Sequence, residues 1–135
     1  MGTPQCSECV TGGVRVRVEP SYLPEHSDPD DRRYFFGYRV TIRNEGEAWV
    51  KLMSRQWVIV DSSGKRDEVV GDGVVGLQPE LEPGESFTYT SHCPLTKPWG
   101  TMEGAYQMLR HDGNMVEVKI ARFFLVATQE AAAGV

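Results

Sequence analysis

The most constraining feature of the sequence is a strict two-residue alternation of apolar and polar side chains. Apolar residues recur at every second position in two early segments, at Val14, Val16 and Val18 and again at Phe36, Tyr38, Val40 and Ile42. A period of two places successive side chains on opposite faces of a strand, so both segments predict strands with one buried face. No window shows apolar residues at helical spacing over three turns. The sequence therefore predicts an all-β chain.

Glycine and proline divide the chain into short segments. Its 135 residues include 14 glycines and 8 prolines, and turn signals recur about every ten residues. The Asn44–Glu47 turn predicts that residues 48–53 return as the hairpin partner of strand 36–43, and the His111–Asn114 turn predicts a hairpin of 101–110 with 115–126. The apolar pattern of the last strand changes face midway, which indicates a bulge or burial on both sides. Seven or eight antiparallel strands at this spacing are typical of a β-sandwich.

The same pattern sets the expected domain limits. A chain of 135 residues is the size of one domain. Residues 13–127 carry the strand pattern, whereas residues 1–12 and 128–135 are polar or rich in alanine and glycine. We expect one sandwich domain over 13–127 with a flexible tail at each end.

Charge and hydropathy exclude several classes of function. The 14 lysines and arginines against 19 aspartates and glutamates give a net charge of −5, which disfavours nucleic acid as a partner because phosphates bind clustered cations. No apolar stretch approaches the roughly twenty residues of a membrane span, and no basic segment followed by an apolar one predicts a signal peptide. Three cysteines, an odd number, argue against a disulfide framework. These features predict a cytoplasmic protein without a membrane partner.

Residues 71–76 form a literal G-x-G-x-x-G motif at Gly71, Gly73 and Gly76. In a dinucleotide-binding fold such glycines precede a helix whose N-terminus holds a pyrophosphate. Two prolines and a glycine in the following segment exclude that helix. Successive glycine N–H groups could still form an anion-binding nest, but Glu68 and Asp72 would repel an anion. We favour the alternative that these glycines serve backbone geometry, through positive φ or close strand crossing.

Candidate metal ligands are few and poorly spaced. Cys6 and Cys9 have the spacing of half a zinc knuckle, but His92 and Cys93 are adjacent and would point to opposite faces of a strand. An acidic loop lacks the spacing of an EF-hand and is typical of a solvated segment; its carboxylates are Glu25, Asp28, Asp30 and Asp31. The sequence predicts no metal site, no cofactor and no catalytic constellation.

The ordered combination of several short motifs resembles the ApaG family. The segment NEGEAWVKLMSRQWVIVDSSGKRDEVVGDGVVGLQPELEPGESFTYTS, residues 44–91, carries G-x-G-V-V-G-x-Q-P and L-x-P-G, and PLTKPWGTMEGAYQM, residues 94–108, carries G-x-M-x-G-x-Y. With the strand FFGYRVTIRNEG, the similarity covers about residues 13–127. The resemblance implies an immunoglobulin- or fibronectin type III-like sandwich and a binding role. It also implies a link to cobalt and magnesium resistance and to a gene neighbour that hydrolyses dinucleoside tetraphosphates, and it transfers no catalytic residues.

These observations leave three hypotheses. The leading one is a non-enzymatic binding module for an unidentified protein partner or a small ligand. Its candidate surface lies on two loops and comprises Gln78, Pro79, Lys97 and Trp99, the last placed between Pro98 and Gly100 where it could be exposed. The second is a binder of pyrophosphate-like or dinucleoside polyphosphate ligands through the Gly71–Gly76 loop. The third is divalent-metal binding by the acidic loop or by Cys6 and Cys9.

Overall fold

The protein is a sandwich of two antiparallel β-sheets. A computed structural model describes residues 6–127. Its strands are β1 (Ser7–Thr11), β2 (Val14–Tyr22), β3 (Tyr34–Asn44), β4 (Val50–Asp61), β5 (Arg66–Asp72), β6 (Glu80–Leu81), β7 (Ser86–Leu95), β8 (Trp99–Arg110) and β9 (Met115–Val126). The acidic segment between β2 and β3 contains two single-turn 3₁₀ helices, Pro24–His26 and Pro29–Asp31. Among the described residues, no helix is long and apolar enough to cross a membrane.

The strand order leaves four outer strands. One sheet runs β1-β2-β3-β7 and the other runs β5-β4-β8-β9, with the short β6 paired to the end of β4. Strands β1 and β9 contact each other across the layers on one side of the sandwich. We call that side the closed side. Strands β5 and β7 lie on the opposite side, which we call the open side.

The core lies between the sheets and follows the alternation seen in the sequence. The inward valines of β2 and the inward apolar residues of β3 are at most 5% exposed, the latter being Phe36, Tyr38, Val40 and Ile42. Aromatic rings link the layers: Trp57 of β4 contacts Tyr38 of β3, Tyr106 of β8 and Phe123 of β9, each with ring planes close to perpendicular. Edge-to-face contacts of this kind add to the free energy gained from burial alone.

Two local predictions are wrong. The N-terminal tail was expected to extend to residue 12, but Ser7–Thr11 forms β1, paired antiparallel to β2. Polar composition misled here because an outer strand needs only one partner and no buried face. Residues 48–53 were expected to pair with strand 36–43, but β3 pairs with β2 and β7, while β4 crosses to the other sheet.

Other predictions are confirmed. The chain is an all-β sandwich, and β8 and β9 form the predicted hairpin around residues 111–114. The register of that hairpin shifts between Met102 and Gly104, where residues 121 and 122 of β9 lie opposite the single residue Glu103 of β8. This irregularity is the predicted bulge. Within residues 6–127 the strand count reaches nine because β1 and the two-residue β6 join the seven longer strands.

Candidate functional site

A cleft separates the two outer strands of the open side. Two adjoining pockets of about 280 and 260 Å³ share Tyr38, Arg55, Trp57 and Ser91 as lining residues. Residues of β7 form one wall and residues of β5 form the other. The Val75–Gly76 turn lines one end of this cleft and Leu95 lines the other. No hydrogen bond joins β5 to β7 within residues 6–127, so solvent and ligands have access to the gap.

Arg55 is the cation of the cleft. Its Nη1 donates hydrogen bonds to the carbonyl oxygens of Asp72 and Gly73, at 3.0 and 2.9 Å. No carboxylate forms an ion pair with Arg55 among the described residues. Two carbonyls therefore orient the guanidinium without neutralising it, which leaves the Nε and Nη2 donors for an anionic group.

Gly71 makes room for this guanidinium. A Cβ at position 71 would lie 2.8 Å from Nη1 of Arg55 and 3.0 Å from its Cζ. The two residues are direct neighbours in the β4–β5 pairing, so both point into the cleft. The first glycine of the sequence motif, Gly71, thus allows the Arg55 side chain to pack closely against the backbone of β5.

The other two motif glycines shape a tight turn. Gly73 has φ of +62°, and a Cβ there would lie 2.2 Å from the Leu77 carbonyl oxygen. Val74 and Leu77 exchange both backbone hydrogen bonds at 2.8 Å, and the residues between them, Val75 and Gly76, have φ of +44° and +81°. Two central residues with positive φ define a type I′ turn.

Most backbone N–H groups of this turn already donate hydrogen bonds within the protein. The Gly73 N–H donates to the Met53 carbonyl at 2.9 Å, and the Val74 N–H donates to Leu77. These two groups are therefore used within the fold and are not free to bind an anion. A β-branched residue at positive φ is rare and strained, which makes Val75 an unusual feature of this end of the cleft.

The candidate partner residues are not among those that line the cleft. Gln78 donates to the Met53 carbonyl, and the Pro79 carbonyl accepts from Leu52, so both fasten the turn to β4. Trp99 begins β8 and is 44% exposed. Lys97 contributes to lowering the pKa of Asp61, after the larger effect of the hydrogen bond from the Ser63 hydroxyl.

Two tyrosines, Tyr38 and Tyr89, line the cleft, and the fully buried Tyr106 bonds to Tyr89. The hydroxyls of Tyr89 and Tyr106 are 2.5 Å apart, and burial raises the pKa of both groups. Burial also raises the pKa of Tyr38, while its hydrogen bond with Ser91 acts in the opposite direction. The three phenols are consequently uncharged at neutral pH, and those of Tyr38 and Tyr89 offer neutral donors and acceptors beside Arg55.

Cys93 is the one thiol on the cleft wall. Burial raises the pKa of this thiol to about 11, with a smaller contribution from the carboxylate of Asp67. A protonated thiol is a poor nucleophile and a poor metal ligand. Within residues 6–127 no group of three or more histidine, cysteine or acidic residues is placed to hold a metal ion. The divalent-metal hypothesis therefore finds no ligand set in this part of the chain.

Sequence reasoning missed Arg55, the central residue of the cleft. The sequence does contain a signal for Arg55. Trp57 is buried, and Arg55, two positions earlier on the same strand, lies on the same face of the sheet. A cation on the buried face of a strand is uncommon and marks either an ion pair or a ligand site. The parity shared by Arg55 and Trp57 is hard to read from the sequence because the alternation of β4 is broken by a register shift between Leu52 and Ser54.

Comparison with known proteins gives consistent results. Residues 24–110 match the family model of the ApaG domain, DUF525. The chain is 52% identical over 120 residues to Protein ApaG of Anaeromyxobacter dehalogenans, covering 89% of this chain and 94% of that one. It is 54% identical over 115 residues to Protein ApaG of a Methylobacterium strain, covering 85% and 88%.

A solved structure agrees with this relationship. A crystal structure of a protein from Bordetella pertussis superposes with a TM-score of 0.82 at 46% identity, covering 91% of this chain and 97% of that one. The matched sequence region includes the Arg55 cleft and the glycine turn. The chain therefore belongs to the ApaG domain family.

Proposed function

We propose that this chain is a non-catalytic binding module whose recognition site is the cleft on the open side, with Arg55 as the group that holds an anion. The observation that carries the proposal is the guanidinium itself. It lies in a cleft, fixed by two backbone carbonyls, with no carboxylate partner in the described part of the chain. An oriented cation of this kind suits a phosphate or carboxylate group.

The surroundings favour binding over catalysis. The buried phenols and the Cys93 thiol have raised pKa values, so none supplies a base or a nucleophile near neutral pH. Their hydroxyl groups still donate and accept hydrogen bonds. The site thus suits recognition of a ligand through hydrogen bonds and the charge of Arg55.

Small phosphate-containing molecules are the ligand class that this geometry suits best. A pyrophosphate group is small enough for the cleft, and its charge matches the free donors of Arg55. In this proposal the Gly71–Gly76 segment acts through Arg55 rather than through its own amides. Asp67 and Asp72 line the same cleft and weaken the binding of any anion.

Titration with inorganic pyrophosphate tests the proposal. Backbone amide shifts should move at Gly71, Gly76 and Ser91, and the Arg55→Gln variant should lose about tenfold or more in affinity. Arg39→Gln provides the matched control because Arg39 is exposed on β3, outside the cleft. Unchanged affinity in Arg55→Gln, or no response of the wild-type protein at millimolar pyrophosphate, would remove the anion site.

A protein partner is the second candidate, and the apolar exposure around the cleft favours it. Val75 and Leu77 on the turn are 55% and 53% exposed, and Trp99 on β8 is 44% exposed. Exposed apolar groups grouped around a polar site are typical of protein interfaces. If an isolated protein partner binds the Trp99→Ala and Leu77→Ser variants as strongly as it binds the wild-type protein, this surface is not the interface. The link to cobalt and magnesium resistance stays a prediction from the family resemblance.

A further inference from the structure

Strand β5 is an outer strand whose free edge pairs with no other strand within residues 6–127. Six of its seven residues, all except Gly71, are exposed, and Val70 is 71% exposed. On the closed side the situation differs: Ser7 Oγ donates to the Ala121 carbonyl, and Thr11 Oγ1 accepts from the Lys119 N–H. The free edge of an outer strand is a template for pairing with another strand, and β5 has two valines at its centre.

The charges of β5 are complementary to themselves in one register. Its sequence is Arg-Asp-Glu-Val-Val-Gly-Asp over residues 66–72. When two such strands pair antiparallel about a two-fold axis at Val69, Arg66 of one copy faces the partner's Asp72, and the reverse pair forms by symmetry. Every residue of the strand then has an opposite residue. Val69 faces the partner's Val69, which concentrates apolar contact at the axis.

The neighbouring symmetric registers are unfavourable. With the axis at Val70, Glu68 would face the partner's Asp72; with the axis at Glu68, Glu68 would face the partner's Glu68. Like charges directly opposite on a pair of strands are destabilising. Only the central register therefore combines full overlap with opposite charges at both ends.

The inner face gives an independent reason for the same register. Asp67 lies opposite the partner's Gly71 in this pairing. The Arg55 guanidinium occupies the space where a Gly71 side chain would be, within 3.0 Å of the ideal Cβ position. Directly opposite side chains in a sheet lie about 5 Å apart at their Cβ atoms, so the carboxylate of Asp67 reaches the partner's Arg55 guanidinium.

We infer that this chain forms a two-fold symmetric homodimer through antiparallel pairing of β5 with the partner's β5, centred on Val69. The dimer joins the two β5-containing sheets into one continuous sheet. Its ion pairs are Arg66 with the partner's Asp72 and Asp67 with the partner's Arg55, each formed twice. The dimer does not rest on the proposed anion site, although an anion and Asp67 of the partner subunit compete for Arg55.

Charge exchange between copies tests the interface. Sedimentation equilibrium should show a concentration-dependent dimer for the wild-type protein, and Arg66→Asp or Asp72→Arg should each raise the dissociation constant about tenfold or more. An equimolar mixture of the two variants should recover dimerisation, because all four residues at positions 66 and 72 then face opposite charges. Lys119→Glu, a charge reversal on the outer strand of the closed side, should leave the dissociation constant unchanged.

Cysteine cross-linking tests the register. With Cys6 and Cys9 replaced by serine, Val69→Cys should form a disulfide-linked dimer under mild oxidation, because directly opposite Cα atoms lie within disulfide range. Val70→Cys should cross-link at least about tenfold more slowly, since the two copies of residue 70 are diagonal neighbours at about 7–8 Å.

Three results would overturn the inference, and none of them involves a ligand. One is a wild-type protein that stays monomeric at its highest soluble concentration. Another is a dimer whose dissociation constant does not respond to Arg66→Asp or Asp72→Arg. The third is faster cross-linking of Val70→Cys than of Val69→Cys. Failure of pyrophosphate binding, in contrast, would leave the dimer standing.

Discussion

The two lateral sides of this sandwich consist of comparable strands, but they differ in whether the outer strands of the two sheets bond to each other. On the closed side, hydroxyl groups of β1 bond to the backbone of β9 at Ala121 and Lys119, and β9 also packs against β2. On the open side, β5 and β7 remain unbonded to each other within residues 6–127. A cleft with an oriented guanidinium occupies the gap. One side of the fold thus supplies stability, and the opposite side leaves polar groups and a strand edge accessible.

The largest expected contrast concerns stability. Ile120 on β9 is fully buried, whereas Val69 on β5 is 40% exposed. Ile120→Ala should lower the free energy of unfolding by about 2–5 kcal/mol, because it leaves a cavity in a tightly packed region. Val69→Ala should cost less than about 1 kcal/mol, since much of its surface already contacts water. Urea denaturation measures both, and equal losses would remove the distinction between the two sides.

The second contrast appears at high pH. Burial raises the pKa of the Cys93 thiol from 9.0 to about 11 in the folded protein. The unfolded chain therefore releases this proton first, and stability falls as the pH rises from about 9 to about 11, by roughly 3 kcal/mol at most. The contribution is fully present below pH 9.

Cys93→Ala isolates this effect from that of the tyrosines. Unfolding free energies of the wild-type protein and of Cys93→Ala should differ by an amount that shrinks between pH 9 and pH 11. A constant difference across that range would show that the thiol on the cleft wall is solvated in the folded state.

The third contrast separates two glycines of one motif. Gly73→Ala should cost more than about 2 kcal/mol, because a Cβ would overlap the Leu77 carbonyl in addition to adopting positive φ. Gly76→Ala should cost about 1 kcal/mol, since its Cβ would meet open space and only the φ of +81° is unfavourable. Thermal or urea unfolding measures the difference. Similar costs would mean that the Val74–Leu77 turn relaxes freely.

The smallest expected effect concerns the hydrogen bond that closes the sandwich. Ser7→Ala removes the 2.8 Å bond from the Ser7 hydroxyl to the Ala121 carbonyl. The expected loss is about 1 kcal/mol in the free energy of unfolding. Hydrogen exchange of β1 amides should accelerate by the factor that corresponds to this free energy. The exchange rates of β5 amides should not change, and they serve as the internal reference. A uniform acceleration in both strands would indicate a global effect.

Much of the fold could be predicted from the sequence, because alternation is a local property. The inward valines of β2 and the β8–β9 hairpin follow from period and turn chemistry alone. Strand pairing was harder: the Asn44–Glu47 turn resembles a hairpin loop but connects two sheets, a choice that depends on contacts distant in sequence. Strand β1 was missed for the same reason, since only its pairing with β2 defines it.

Part of the candidate site could likewise be predicted from the sequence, and part of it could not. The sequence marks the glycine motif, yet it does not show that Gly71 lies beneath the guanidinium of Arg55. That contact depends on the β4–β5 register, which places Arg55 opposite Gly71. The exposed position of Trp99 could be anticipated from its flanking proline and glycine. The cleft between β5 and β7 could not, because it is defined by the absence of pairing between two strands.

The most direct test of the open-side site is the pyrophosphate affinity of Gly71→Ala. A methyl group at this position displaces the guanidinium, yet it removes no charge and meets only the flexible end of the Arg55 side chain. We predict that Gly71→Ala lowers the affinity about tenfold while the free energy of unfolding changes little, and that Gly76→Ala retains most of the binding. Retained affinity in Gly71→Ala together with its loss in Gly76→Ala would contradict the account and would assign the anion to the amides of the turn.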